Sequence, residues 1–197
     1  MAEMYYRASN PDHPWLTPCS IQILASFLKP SDVGLEFGSG RSTIWFARRV
    51  NHLTSVEHNE EWFGKVNRKL QELGQTNVAY HLRPKDYADD DASNSKYVRT
   101  LGEVARESID FVLVDGVYRD YCALGAIPLL RPGGVLIIDN ANWYLPCASI
   151  APSSRNRQQG PMGETWAKVF EQIESWRTIW TSSGVSDTAF FFKPTSG

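Results

Sequence analysis

Short apolar runs alternate along the chain with longer amphipathic stretches. The runs are rich in Val, Ile, Leu and Phe and indicate buried strands, whereas the stretches between them repeat apolar residues at helical spacing. Continuous apolar strands separated by helices predict a parallel sheet covered on both faces, which is a doubly wound α/β fold. The predicted strands cover residues 33–36, 53–57, 78–82, 109–114 and 135–138, and helices are predicted over 17–28, after residue 43, and over 60–73, 97–106, 119–130 and 165–175.

The last part of the chain carries a different pattern. Residues 178–181 and 188–193 are β-prone, and about six residues separate them. A parallel crossover needs about a dozen residues or more, so these runs are predicted to pair as an antiparallel hairpin. We therefore expect one domain over 1–197, with a seven-stranded, mostly parallel sheet. Two segments lack a regular pattern: the start of an N-terminal cap segment at 1–30, and a flexible lid loop at 149–163.

Composition narrows the classes of partner. With a net charge of −2 and 42% hydrophobic residues, the chain gives no electrostatic reason to expect nucleic acid or an anionic membrane as partner. No apolar run approaches the roughly 18 residues of a membrane span. The widely spaced cysteines Cys19, Cys122 and Cys147 indicate reduced thiols and a cytoplasmic protein. A homodimer is compatible with the aromatic residues near the C-terminus, whose alternative role is sheet core.

Candidate chemistry falls where the predicted strands end. Two glycines flank Ser39 directly after the first strand, and glycine allows a tight turn and a close approach of a ligand to the backbone. Open α/β sheets bind ligands at the carboxyl edge of their strands, so side chains that follow strands are expected to meet there. The polar residues at strand ends are Glu36, Glu57, Asp86, Asp115 and the pair Asp139-Asn140, whereas the run 89–91 is interpreted as a solvated turn.

These motifs together resemble the class I S-adenosylmethionine-dependent methyltransferases. The resemblance rests on the segment 36–40, on the strand-end carboxylates, and on the Leu-Arg-Pro-Gly-Gly segment 130–134. It implies a Rossmann-like sheet whose seventh strand inserts antiparallel beside the sixth, as the predicted hairpin suggests. Thr43 stands where a dinucleotide-binding fingerprint has its third glycine, which disfavours the alternative of an NAD-type oxidoreductase. A second alternative is a non-catalytic module that binds the cofactor or a partner.

The resemblance also implies roles for single residues at the cofactor. The backbone of Gly38, Ser39 and Gly40 would face the methionine and ribose portion, beside Ser42, and Glu36 would hold the turn and reach the ammonium group. Glu57 would accept hydrogen bonds from the ribose hydroxyls, since a carboxylate offers several lone pairs. His58 and Tyr87 would flank the adenine, and Asp86 would accept from its amine. Asp115 is also a candidate to bind the cofactor. Trp62 and Phe63 are interpreted as packing residues.

The acceptor side is similar in part to the metal-dependent catechol-type O-methyltransferases. In that group an Asp after the fourth strand and an Asp-Asn pair after the fifth bind Mg²⁺, which here implies Asp115, Asp139 and Asn140 as ligands. Where that group has a lysine base, this sequence has Tyr118, followed by Arg119. Three alternatives remain open: another residue is the base, the metal activates the acceptor without a base, or the site has only a structural role.

The expected reaction is methyl transfer to a small-molecule acceptor, most simply at oxygen and with assistance from Mg²⁺. The catalytic candidates are Asp115, Tyr118, Arg119 and His13, the last because it could act as a base from the N-terminal segment. Trp143 and Tyr144 are candidates for the acceptor wall or for the core.

Overall fold

Strands and helices alternate in the computed structural model, which describes residues 2–88 and 91–195. Asp89 and Asp90, which belong to the predicted solvated turn, lie outside the described residues. The strands are β1 (Val33–Phe37), β2 (His52–Glu57), β3 (Val78–Leu82), β4 (Ile109–Val114), β5 (Leu130–Asp139), β6 (Arg177–Ser182) and β7 (Asp187–Phe192). The helices are α1 (Ala2–Ser9), α2 (Pro18–Phe27), α3 (Arg41–Ala47), α4 (Glu60–Glu72), α5 (Lys96–Arg99), α6 (Arg119–Ala126) and α7 (Gly163–Ile173).

The strands form one sheet in the order β3-β2-β1-β4-β5-β7-β6. β1 to β5 pair in parallel, whereas β7 inserts antiparallel between β5 and β6. The predicted doubly wound, mostly parallel sheet with an antiparallel C-terminal hairpin is therefore confirmed. Among the described residues, no helix combines the length and apolar character that a membrane crossing requires.

Both faces of the sheet are covered, because alternate side chains of each strand enter different cores. In β4, Phe111 points into a cluster with residues of α2 and α3, whereas Val112 points into a cluster with residues of α6 and α7. This explains why the central strands lack the alternation of a half-exposed strand: both of their faces are buried.

Three local predictions are corrected by the structure. The first residues were expected to be irregular, but α1 covers Ala2–Ser9, and Tyr6 packs against the core of the α2 side, with its hydroxyl hydrogen-bonded to His13 Nδ1 at 2.8 Å. β5 begins at Leu130 rather than at 135, because the Pro-Gly-Gly segment is a bulge that shifts the register against β4. α6 ends at Ala126, where a 3-10 turn containing Pro128 replaces the predicted continuation.

The topology places the candidate site between β1 and β4. These neighbouring strands lie at the centre of the sheet, and the strand order reverses there. The connections that leave their carboxyl ends open a crevice, the usual ligand position in an open α/β sheet.

Candidate cofactor site and adjoining cavity

Two glycines meet at the carboxyl ends of β1 and β4. Gly38 has φ of +92°, in the left-handed region that favours glycine, and an added Cβ there would lie 2.6 Å from the backbone nitrogen of Gly116. A Cβ at Gly116 would collide with the Tyr97 hydroxyl. The two connections therefore touch backbone to backbone, which is possible only without side chains at both positions.

Glu57, at the end of β2, holds the glycine turn. Its Oε2 accepts hydrogen bonds from the Ser39 backbone N–H at 3.0 Å and from the Ser39 hydroxyl at 2.7 Å. Its Oε1 accepts from the backbone N–H groups of His58 and Asn59, both at 2.8 Å. The Ser39 hydroxyl also pairs with the Tyr80 hydroxyl at 2.6 Å. The carboxylate is thus fixed in orientation, with an O–H group already on the oxygen that faces the turn.

A cavity of about 420 Å³ opens beside this turn. Five of the predicted cofactor residues line it, namely Gly38, Ser39, Glu57, His58 and Asp115. The sequence missed Asn59, Glu61, Lys65, Gly116 and Val117, and it assigned Trp62 to packing alone. The Trp62 indole N–H donates to the Ser39 carbonyl at 2.8 Å, so this side chain both packs and forms the wall. Phe63, by contrast, stacks on Tyr80 as a packing residue.

Glu36 lies beneath the turn and is fully buried. Its Oε2 accepts from the hydroxyls of Thr43 and Ser55, both at 2.6 Å, while its Oε1 has no hydrogen-bond partner. The Gly40 N–H donates to the Thr43 hydroxyl at 2.9 Å, which connects Glu36 to the glycine turn. Burial raises the pKa of Glu36 to about 7, against the opposing effect of the neighbouring hydroxyls, including that of Ser42. Glu36, Gly40 and Ser42 support the turn from below rather than line the cavity.

Three other predicted residues lie away from the cavity. The Asp86 carboxylate accepts from the Lys96 backbone N–H at 3.3 Å, at the start of α5. The backbone of Tyr87 is held by the Tyr118 hydroxyl, which donates to its carbonyl at 2.6 Å. His13 is hydrogen-bonded to the Tyr6 hydroxyl and lines neither this cavity nor the next one. Their predicted roles at the adenine and as a base stay predictions.

A second cavity, of about 350 Å³, adjoins the first and shares Gly116 and Val117 with it. The rings of Tyr144 and Trp166 stack in its wall, with centroids 4.9 Å apart. Met162, from the segment predicted as a lid, also lines it, and its backbone N–H donates to the Tyr144 carbonyl at 2.8 Å. The remaining lining residues are Lys85, Tyr118, Arg119 and Asp120.

The residues predicted to hold Mg²⁺ surround an arginine instead. Arg119 Nη2 donates to Asp115 Oδ1 at 3.0 Å, and Nη1 donates to Asn140 Oδ1 at 3.0 Å. Asp139 Oδ1 accepts from the Thr188 hydroxyl at 2.7 Å. Magnesium requires near-octahedral oxygen ligands at about 2.0–2.1 Å, whereas one oxygen of each of these three side chains already accepts an N–H or O–H group and a guanidinium lies among them. The arrangement therefore does not fit the ion, and among the described residues no group of three or more His, Cys, Asp or Glu side chains could hold a metal.

Two carboxylates lie close together at this point. Burial and the proximity of Asp139 raise the pKa of Asp115 well above its ordinary range, and the Arg119 charge opposes that rise. Burial also raises the pKa of Asp139, against the Thr188 hydroxyl and the Arg119 charge. The guanidinium is thus the charge that stabilises two neighbouring carboxylates at the end of the central strands.

The fold is a Rossmann-like domain with a crevice at the carboxyl ends of β1 and β4. Residues 35–141 match the family model described as a methyltransferase domain. The chain therefore belongs to the class I S-adenosylmethionine-dependent methyltransferases.

Solved structures of the same fold accompany this match. A methyltransferase-like protein from Silicibacter pomeroyi is 22% identical, with a TM-score of 0.62, and the match covers 94% of this chain and 90% of that one. A putative methyltransferase from Streptococcus mutans in complex with SAH is 12% identical, with a TM-score of 0.59 over 92% of this chain and 99% of that one. A protein from Corynebacterium glutamicum is 15% identical, with a TM-score of 0.64, and the match covers 100% of this chain and 91% of that one. Among curated protein sequences, none matches the chain.

Proposed function

We propose that the protein transfers the methyl group of S-adenosylmethionine to an oxygen atom of a small-molecule acceptor. The observation that carries this proposal is the pair of adjoining cavities, which share Gly116 and Val117. One cavity has the family's cofactor residues around it, and the other has aromatic walls. Donor and acceptor placed in the two cavities would approach each other at the shared edge, and such alignment is a large part of catalysis of a group transfer.

The cofactor would lie in the cavity lined by Glu57. A sulfonium carries an already activated methyl group, so the protein has mainly to bind, orient and exclude water. The turn at Gly38 and Ser39 presents backbone where no Cβ intervenes. Glu57 is oriented by four hydrogen bonds, and a ribose hydroxyl would share or replace the position that the Ser39 hydroxyl holds on Oε2.

The acceptor would lie in the second cavity, against the stacked pair of Tyr144 and Trp166. Two parallel aromatic rings and Met162 offer apolar surface, which suits a small molecule with a planar or apolar body. The net charge of −2 gives no electrostatic support for a nucleic acid or an anionic membrane as the partner instead.

Asp115 is the residue that we propose to accept the acceptor's proton. Asp115 lines the cofactor cavity directly beside Gly116 and Val117, the residues that this cavity shares with the proposed acceptor cavity. The Tyr118 hydroxyl is engaged with both the N–H and the carbonyl of Tyr87, at 3.1 and 2.6 Å, and Arg119 is a permanent cation that cannot serve as a base. His13 contacts Tyr6 instead.

Formation of SAH with a panel of small hydroxyl compounds, including phenols and hydroxy acids, tests this proposal. We expect methylation of at least one compound, and a loss of about 10²–10⁴-fold in rate for Asp115→Asn if this carboxylate is the base. The Asn side chain keeps the oxygen that accepts from Arg119, so the fold is expected to survive. SAH binding by the wild type without transfer to any acceptor would instead support the non-catalytic alternative, and NADH binding in place of SAH would support the oxidoreductase alternative.

A further inference from the structure

Every N–H group of the Arg119 guanidinium is used within the protein. Nε donates to the Gly116 carbonyl at 2.9 Å. Nη1 donates to the Asp139 carbonyl at 2.7 Å and to Asn140 Oδ1 at 3.0 Å. Nη2 donates to the carbonyl and to Oδ1 of Asp115, at 2.8 and 3.0 Å. A guanidinium has five N–H donors, and this one makes five hydrogen bonds, so it has none left for a substrate anion.

The acceptors of these hydrogen bonds belong to the connections that follow β4 and β5. Arg119 is the first residue of α6, directly after Tyr118, whose φ of +50° is unusual for an aromatic residue. Asn140, with φ of +53°, has the same left-handed backbone directly after β5. Such backbone costs about 1–3 kcal/mol per residue and persists where the surroundings hold it in place. The guanidinium donates to backbone carbonyls and to a side-chain oxygen at the ends of both β4 and β5, and these hydrogen bonds supply that hold.

The same position also explains why a divalent ion is not accommodated. A cation at the carboxylates of Asp115 and Asp139 would lie close to the guanidinium, and like charges at such distances repel by several kcal/mol where solvent is partly excluded. Arg7 adds a further positive charge that interacts favourably with Asp139. The negative charge that attracts a metal in comparable oxygen sites is here already compensated.

We infer that Arg119 is the resident cation of this site and takes the place of a divalent metal ion between the ends of β4 and β5. Its guanidinium joins the two connections and excludes the ion, so that the protein functions without Mg²⁺. The inference concerns the cation site and does not depend on methyl transfer, because metal binding can be measured in the absence of any acceptor.

Manganese binding tests this inference, since Mn²⁺ accepts the same oxygen ligands as Mg²⁺ and its free ion has an electron paramagnetic resonance signal. The full-length wild type, Arg119→Met and Arg119→Lys would be titrated with Mn²⁺ alone. The Met variant has a similar volume without the charge, and the Lys variant keeps the charge without the planar fork. We expect no saturable binding by the wild type or the Lys variant up to about 1 mM, and binding at least about tenfold tighter by the Met variant.

Two results would overturn the inference. One is stoichiometric Mn²⁺ binding by the wild type that Asn140→Leu abolishes, which would place a metal at these residues despite Arg119. The other is a folded Met variant, judged by circular dichroism, that binds Mn²⁺ no better than the wild type. If the Met variant does not fold, Arg119→Gln, which also removes the charge, takes its place in the same comparison with the wild type. SAH calorimetry on the same samples reports separately on the cofactor site. A failure of the proposed function can therefore be distinguished from a failure of the inference about Arg119.

Discussion

Glu36 gives the folded protein a specific dependence of stability on pH. The side chain is fully buried beneath the glycine turn, and one of its oxygens has no hydrogen-bond partner. Burial raises its pKa from the ordinary 4.5 to about 7. Glu36→Gln replaces the titrating group by a neutral one of the same shape, which can still accept from the hydroxyls of Thr43 and Ser55. The variant therefore isolates the effect of ionising this one carboxyl.

The sign follows from the two pKa values. Between pH 4.5 and about 7, the folded state keeps the proton on Glu36 whereas the unfolded state loses it, so the contribution of this group to stability is lost as the pH rises through that interval. One pH unit corresponds to about 1.4 kcal/mol, so the interval amounts to about 3 kcal/mol. As the pH rises from 4.5 to about 7, the free energy of unfolding of the Gln variant should therefore increase relative to that of the wild type by up to about 3 kcal/mol. Above pH 7 this difference should stay constant.

Urea unfolding of both proteins at pH 5, 6, 7 and 8 measures this difference. Glu171→Gln, at an exposed position of α7, is the control: it shows how replacing a solvent-exposed glutamate by glutamine changes the free energy of unfolding over the same pH range. A difference between Glu36→Gln and the wild type that stays constant over the whole range would refute the reasoning, because it would mean that the carboxyl does not titrate differently in the folded state.

Three further substitutions, one of them with a matched control at Gly74, have expected outcomes. Gly38→Ala should lower stability by more than the roughly 1–3 kcal/mol of backbone strain alone, because the added Cβ would also lie 2.6 Å from the Gly116 nitrogen, and it should weaken SAH binding in calorimetry. Gly74→Ala, with φ of +63° and open space around it, should cause the strain without loss of SAH binding. Trp62→Phe loses the indole hydrogen bond to the glycine turn and should weaken SAH binding about fivefold, unless that bond is absent in solution. Tyr118→Phe loses both hydrogen bonds to the segment after β3, so amide exchange there should accelerate; unchanged exchange would contradict this contact.

The order of elements could be predicted from the sequence because each signal was local. Continuous apolar runs indicated strands buried on both faces, and the short connection before β7 allowed only an antiparallel partner for β6. α1 was missed because an isolated helix of eight residues is marginal, and it depends on contacts such as that of Tyr6 with His13. The start of β5 was missed because its Pro-Gly-Gly segment indicates a turn, whereas the neighbouring strand accommodates it as a bulge.

The site could be predicted only in part. Glu57, Ser39 and Asp115 follow strands and were identified on that ground. Gly116 and Trp62 became visible only through tertiary contacts, although the Asp-Gly step after β4 is a signal that could have indicated the former. Arg119 was identified as a candidate residue, but its five hydrogen bonds depend on how two connections meet in space, which spacing along the chain does not contain.

We propose that the cavity beside Glu57 binds the methyltransferase cofactor. Calorimetric titration of the wild type, Glu57→Gln and Glu171→Gln with SAH measures this binding. We predict one molecule bound per chain by the wild type and the surface variant, and affinity about 10- to 100-fold lower for Glu57→Gln, since hydrogen bonds to a charged group contribute about 1.5–3 kcal/mol. No binding by the wild type, or equal affinity in all three proteins, would contradict the account.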